Sequence, residues 1–344
     1  MSVVNYGDIT PAVAAYMVRD LLKRGMPYLV LEKFGQTFPI PDNSTKVAKF
    51  RRYFLSGSTG SAGDGSGNFF VPLATTPLIE GVTPSGKNLS KIDYTVTLQQ
   101  FGDFTTISDV VADTHTDPVL QQCTEILGEQ AAQTIETIRF NVLKAGTNVF
   151  YGNGSTRAGV TTTITRDLQR QITTSLTRQN AKPITQVVKS TPDYRTEPVE
   201  AAYIGLVHPD LESDIRNMTG FIPTKQYGTV TPFENEIGSV ERVRYLTSTI
   251  FAPFADAGGA NAAMRGTTSA AAHVDVYPIL YVARDAYGIV PLKGKSALTP
   301  MVVNPKPAPS DPLAQRGTVG WKAYQAAVIL QDAWLVRCEV AATA

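Results

Sequence analysis

His208, Pro209 and Asp210 put an imidazole beside a carboxylate, which is half of a nucleophilic triad. The other half would be a serine on a strained strand-to-helix elbow, and no serine in the chain stands in G-x-S-x-G. Near neighbours in sequence rarely hold the Nδ1 hydrogen bond that orients a catalytic imidazole. His208-Pro209-Asp210 therefore reads as a strand-to-helix turn with Pro209 at the first helical position. His115 and His273 stand alone, and Cys123 and Cys338 lie far apart among apolar neighbours, so no metal set is expected and both cysteines read as free thiols of a reducing compartment. Gly63-x-Gly65-x-Gly67 is glycine-rich like a phosphate loop but has neither the lysine nor the following helix that such a loop requires. Glu234 and Glu236 read as solvated loop carboxylates. No catalytic, cofactor or metal residue is expected, and the chain does not read as an enzyme.

The remaining chemistry is recognition. Lys46, Lys49, Arg51 and Arg52 form a basic cluster in which Lys49 and Arg51 share one strand face and Phe50 and Arg52 the other. Two readings stand: charges that guard an exposed strand edge, or a charge-paired contact between subunits. Phe69 and Phe70, just after the glycine-serine run 56–67, form an apolar patch that a solitary loop could not bury. With 31 Lys+Arg against 30 Asp+Glu the net charge is +1, too mild for a dedicated nucleic-acid binder. Charged residues make up 18% of the chain, against roughly 25% in ordinary soluble domains, as suits a surface covered by neighbours. The N-terminus lacks the pattern of a signal peptide, and no uncharged apolar run approaches membrane-spanning length, so a soluble protein made in a cytoplasm is expected.

The elements that would carry these residues follow from periodicity. Thr10, Pro11 and Gly25 punctuate a short first helix. Lys46 to Phe54 and the alternating Lys91 to Gln100 read as two arms of a long β-hairpin, separated by an excursion far longer than an ordinary hairpin loop. Asp117 and Pro118 open the longest helix, about 117–145, whose apolar positions keep a 3.6 period and whose length is roughly 40 Å. A second helix runs from Thr165 to about Gln179, with Asn180 as its stop. Strands are expected at Ala202 to Val207, Val240 to Leu246, Tyr277 to Val282, Gly288 to Leu292 and Met301 to Asn304. Ala252 to Ala272 reads as a loop, and Gly317 to Leu330 with the return strand through Val340 reads as a closing hairpin.

In order, several segments resemble the major coat proteins of tailed bacteriophages, most closely the N4-like branch. They are Phe34-Gly35, Lys49-Phe-Arg-Arg-Tyr53, Pro77-Leu-Ile-Glu-Gly-Val-Thr-Pro84, Gln100-Phe-Gly-Asp-Phe104, Ile204-Gly-Leu-Val-His-Pro-Asp210, Glu236-Ile-Gly238, Asp285-Ala-Tyr-Gly288, Asp311-Pro-Leu-Ala-Gln-Arg-Gly317 and Gly320-Trp-Lys322. The resemblance implies an α+β fold of the Hong Kong 97 type. Its parts would be an N-terminal arm (1–35), an extended loop (36–105), a peripheral domain (106–199 with 299–344) and an axial domain (200–298). It implies a virion capsid protein that assembles with itself into hexamers and pentamers of an icosahedral shell, in the cytoplasm of a bacterial host. Implied partners are a portal protein, scaffolding and decoration proteins, and packaged double-stranded DNA held non-specifically, with no membrane. In that setting Lys49, Arg51, Arg52, Phe69, Phe70 and Glu80 are expected at subunit interfaces. The alternative is a β-rich component of a phage tail or baseplate.

Overall fold

The computed structural model describes residues 29–41, 45–55, 74–84, 86–109, 119–188, 196–228, 231–267, 273–292, 298–303, 312–313 and 315–344. In chain order the strands are β1 (Gln36–Thr37), β2 (Val47–Leu55), β3 (Leu89–Thr97), β4 (Gln99–Ser108), β5 (Val149–Tyr151), β6 (Ile184–Val188), β7 (Thr196–Val207), β8 (Phe221–Pro223), β9 (Glu236–Val240), β10 (Val243–Thr247), β11 (Tyr277–Val282), β12 (Tyr287–Pro291), β13 (Leu298–Val303), β14 (Arg316–Ile329) and β15 (Leu335–Val340). The helices are α1 (Val119–Lys144), α2 (Arg166–Arg178) and the short α3 (Glu212–Arg216).

Among the described residues three sheets form. β2 and β3 pair antiparallel along their whole length as a two-stranded hairpin. β14 is the spine of a five-stranded sheet, flanked by β4, β13 and β12, with β1 beyond β12. The eight-stranded sheet runs β5-β15-β11-β7-β10-β9-β8, with β6 on β7.

β11, Tyr-Pro-Ile-Leu-Tyr-Val, is apolar on both faces because both are covered. Tyr277, Ile279 and Tyr281 face the cluster that holds α2 through Leu168, Ile172 and Leu176, whereas Leu280 and Val282 face Phe140 and Leu143 of α1. The other half of α1 sets Leu127, Ala131 and Ile135 against Ile107, Val319, Trp321 and Ala323 of the five-stranded sheet. Its 26 residues, roughly 39 Å of helix, thus tie the two large sheets together.

The α2 signals act as the sequence suggests. Thr165 Oγ1 accepts from the Leu168 amide at 3.3 Å, and Asn180 takes φ 52° where the helix stops. His208 caps the turn at Pro209–Leu211 by accepting from the Asp210 amide. The first helix, the glycine-serine run, Asp117 and Pro118 lie outside the described residues.

Several expectations are corrected. The strand expected from Lys91 to Gln100 is broken at Leu98, whose side chain is buried and whose amide donates to Lys46 O, so β3 serves the hairpin and β4 the five-stranded sheet. Val240 to Leu246 is not one strand: Glu241 at φ 52° turns β9 back on β10. β14 and β15 form no hairpin, because β14 stays in the five-stranded sheet while β15 enters the other between β5 and β11. The tract from Ala252 is a loop as expected over its described residues, tied down by isolated bridges from Phe254 to Val276 and from Met264 to Thr343. Ile126, at an apolar position of the 3.6 period expected to pack inward, is exposed.

Candidate assembly surfaces

The hairpin is anchored at its base, and at its far end the described Tyr53 and Leu89 are exposed. Ala48, Phe50 and Leu98 are buried with Ile40, Val290, Ala326 and Leu330. Phe50 lies so close to Gly288 that a Cβ there would meet the ring at 2.7 Å. Directly across the ladder, Arg51 grips Asp93 with two bonds of 2.7 and 3.0 Å. This pairing raises the guanidinium's pKa and holds the Asp93 carboxyl below its ordinary range. Arg52 turns the other way, donating to Gln331 Oε1 at 3.0 Å with its guanidinium 5.5 Å from the Trp334 ring centre. Burial lowers its pKa.

Of the residues singled out in the sequence, then, Arg51 and Arg52 have partners within their own chain. Lys49 and Glu80 are exposed. Phe69 and Phe70 lie outside the described residues.

The sequence reading missed a neighbouring apolar patch. A turn at Ile79–Val82, with Gly81 at φ 79°, presents Leu78 (78% exposed), Ile79 (69%) and Val82 (59%) to solvent. Leu89 and Tyr53 at the hairpin's far end are exposed as well. The signal was present in Pro77-Leu-Ile-Glu-Gly-Val-Thr-Pro84: apolar residues between prolines, without strand alternation, have no local core to enter.

A second open apolar surface lies on the five-stranded sheet. Phe104, Gly320 and Met301 are register partners across β4, β14 and β13, so they share one face. Phe104 is 67% and Met301 44% exposed, and the glycine between them leaves a notch. With Gly102, Trp321 and Lys322 they line a groove of about 590 Å³. Gly102 and Gly320 are required by close approach: a Cβ on Gly102 would sit 2.5 Å from Trp321 O, and one on Gly320 2.8 Å from Phe104 Cβ. Behind the groove, Trp321 Nε1 donates to Gln130 Oε1 (3.1 Å) and Gln130 Nε2 donates to Asp103 Oδ2 (2.6 Å), pinning α1 to the sheet.

The His208/Asp210 pair is taken up in structural contacts. His208 Nδ1 lies 3.3 Å from Asp210 Oδ2, but that carboxylate also takes Tyr277 OH at 2.8 Å and Arg265 at 2.7 Å, and burial lowers the imidazole's pKa. These contacts fasten the ends of β7 and β11. Glu236 is not solvated as expected: its side chain is fully buried against Arg244 at 2.6 Å, with the Phe233 ring 3.9 Å over the guanidinium. Glu234 is exposed and pairs with Lys33. Among the described residues no helix is long and apolar enough to cross a membrane, and no group of three or more His, Cys, Asp or Glu could hold a metal ion.

The fold has close counterparts. The capsid of Ralstonia phage GP4 superposes with a TM-score of 0.62 at 13% identity, covering 90% of this chain and 87% of that one. The capsid of cyanophage Pam1 gives 0.56 at 13% identity, covering 94% and 93%. That of cyanophage P-SCSP1u gives 0.54 at 16% identity, covering 91% and 88%. No curated protein matches in sequence. The phage capsid protein family matches residues 93–337, a span from β3 into β15 that takes in α1 and most of both large sheets. The chain belongs to the phage capsid protein family: a structural protein of the virion shell and not an enzyme.

Proposed function

We propose that this capsid protein is the major head protein of a tailed bacteriophage of the N4-like branch, with a Hong Kong 97-type fold. It assembles into hexamers and pentamers that close an icosahedral shell around packaged double-stranded DNA. The observation that carries the reading is a pair of exposed apolar surfaces, the turn with Leu78, Ile79 and Val82 and the groove around Phe104 and Met301. From Leu98 the hairpin extends nine residues to Leu89, roughly 30 Å, while the groove begins at Gln100, the second residue of β4. The exposure of Leu78, Ile79 and Val82 means that they touch little of their own chain. A tip that fills the groove of the next copy makes a head-to-tail contact, which closes into rings when the rotation allows it. Each buried aliphatic side chain would add about 1.5–3 kcal/mol.

Within this reading Lys49, Arg51, Arg52, Glu80, Phe69 and Phe70 meet neighbouring copies. The arm (1–35), extended loop (36–105), peripheral (106–199, 299–344) and axial (200–298) divisions are part of the same proposal. The eight-stranded sheet crosses their boundary, since β5 and β15 join β11. Portal, scaffolding and decoration proteins are the proposed partners. DNA is enclosed without sequence recognition, as suits a net charge of +1.

Electron microscopy and sedimentation of the chain, alone and with its scaffold, test this directly. Closed shells, or hexamers and pentamers that close with scaffold, are expected. A monomer under every condition would overturn it, and tubes with a tail lattice would favour the tail or baseplate reading.

A further inference from the structure

Where α1 passes from one large sheet to the other, it carries a buried carboxylate and a buried guanidinium. Glu136 is 0% and Arg139 2% exposed. Glu136 Oε1 accepts from two successive backbone amides, Val30 N at 2.9 Å and Leu31 N at 2.7 Å. Arg139 reaches Glu32 at 3.3 Å and Gln325 of β14 at 2.9 Å, and Tyr287 OH of β12 donates to Leu31 O at 2.5 Å. Val30, Leu31 and Phe34 are buried in the same place. The segment Val30–Phe34 is thus held by α1 and by Tyr287 of β12.

The grip has a flaw. Glu136 Oε2 is buried with no hydrogen-bond partner, and its nearest cation, Arg139 Nη1, stands 3.8 Å away and is shared with Glu32. Among the described residues, the groups facing the carboxyl are Arg139 on its own helix, Glu32 on the segment and Tyr287 on β12. They supply one cation against a second carboxylate and a neutral phenol. We propose that Glu136 is a proton-dependent latch: protonated, it lets α1 hold Val30–Phe34 more tightly than when it is ionised. Neutral, it still accepts through Oε1 and escapes the cost of a desolvated charge; ionised, it gains by admitting water, which requires the segment to lift.

The sign follows from linkage. With the segment docked, burial pushes the carboxyl up to about 7, against 4.5 for the exposed group. Docking therefore takes up a proton between those values and weakens as pH rises through them.

Hydrogen exchange at the Leu31 amide of the full chain tests this, with rates corrected for their intrinsic pH dependence. Protection on the order of 100-fold greater at pH 5 than at pH 8 is expected. Leu31 should also exchange faster than Ile279 at either pH, which marks local release. Glu136→Gln keeps an oxygen acceptor and should flatten the pH dependence. A wild-type protein without that dependence, a Gln variant that retains it, or a Leu31 that exchanges only with the core would overturn the latch. Glu32→Gln covers the case in which Glu136→Gln does not fold: the dependence must survive there, and its loss would assign the titration to Glu32 and sink the proposal.

Discussion

Glu339 is a carboxylate inside a central strand, with no exposure and two guanidinium neighbours: Arg157, bonded through both oxygens at 2.7 and 2.8 Å, and Arg337 at 2.8 Å. Removing one member of a buried pair costs more than the pair contributes, because the survivor stays desolvated without a counter-charge. Glu339→Ala should therefore destabilise the subunit by about 3 kcal/mol, read as a lower denaturant midpoint at unchanged slope. None of this was legible in the sequence, since Arg157 lies 182 residues from Glu339 and strand alternation reveals a side chain's face but not its partner. Glu236 was misread for the same reason: its environment is set by Arg244 and Phe233, which a loop-like composition does not announce. Arg51 and Arg52 were legible as chemistry and not as geometry, because the hairpin register that gives Arg51 to Asp93 depends on pairing across 42 residues.

Elements with local punctuation were read well. The Thr165 cap and Asn180 stop bound α2 within a residue or two of the expected ends, and Thr165→Ala should cost about 1 kcal/mol in a thermal or denaturant melt. Alternation along β3, beside the strand-forming run of β2, revealed the hairpin because its base buries one face only. The closing strands show where such reading ends. β14 and β15 are both strands as expected, but the turn at Asp332–Trp334 hands the chain from one sheet to another, and a period of two is silent about which neighbour a strand takes. Glycine roles were equally hidden. Gly102 is required because the β14 backbone passes 2.5 Å from where its Cβ would be, so Gly102→Ala should push β4 off β14 and destabilise by about 1–3 kcal/mol. The melt of that variant decides whether the approach is as tight as the geometry requires.

At the scale of the whole molecule the question is whether the bare tip and the bare groove are two halves of one contact. If so, the contact is head-to-tail, and each copy offers one of each half. Leu78→Asp with Ile79→Asp spoils the tip alone, and Phe104→Asp spoils the groove alone; all three side chains are more than half exposed, so both variants should melt as the wild type does. Each variant by itself should stay monomeric in sedimentation, because every contact would need the half it lacks. Mixed together they behave differently: the intact tip of the groove variant fits the intact groove of the tip variant, and the complex so formed has no good half left at either end. One-to-one heterodimers, without rings or shells, are therefore expected from the mixture. Continued growth in it would mean that other surfaces carry the assembly. Failure to pair would mean that tip and groove belong to different contacts, because two halves of one contact must complement each other across the two variants.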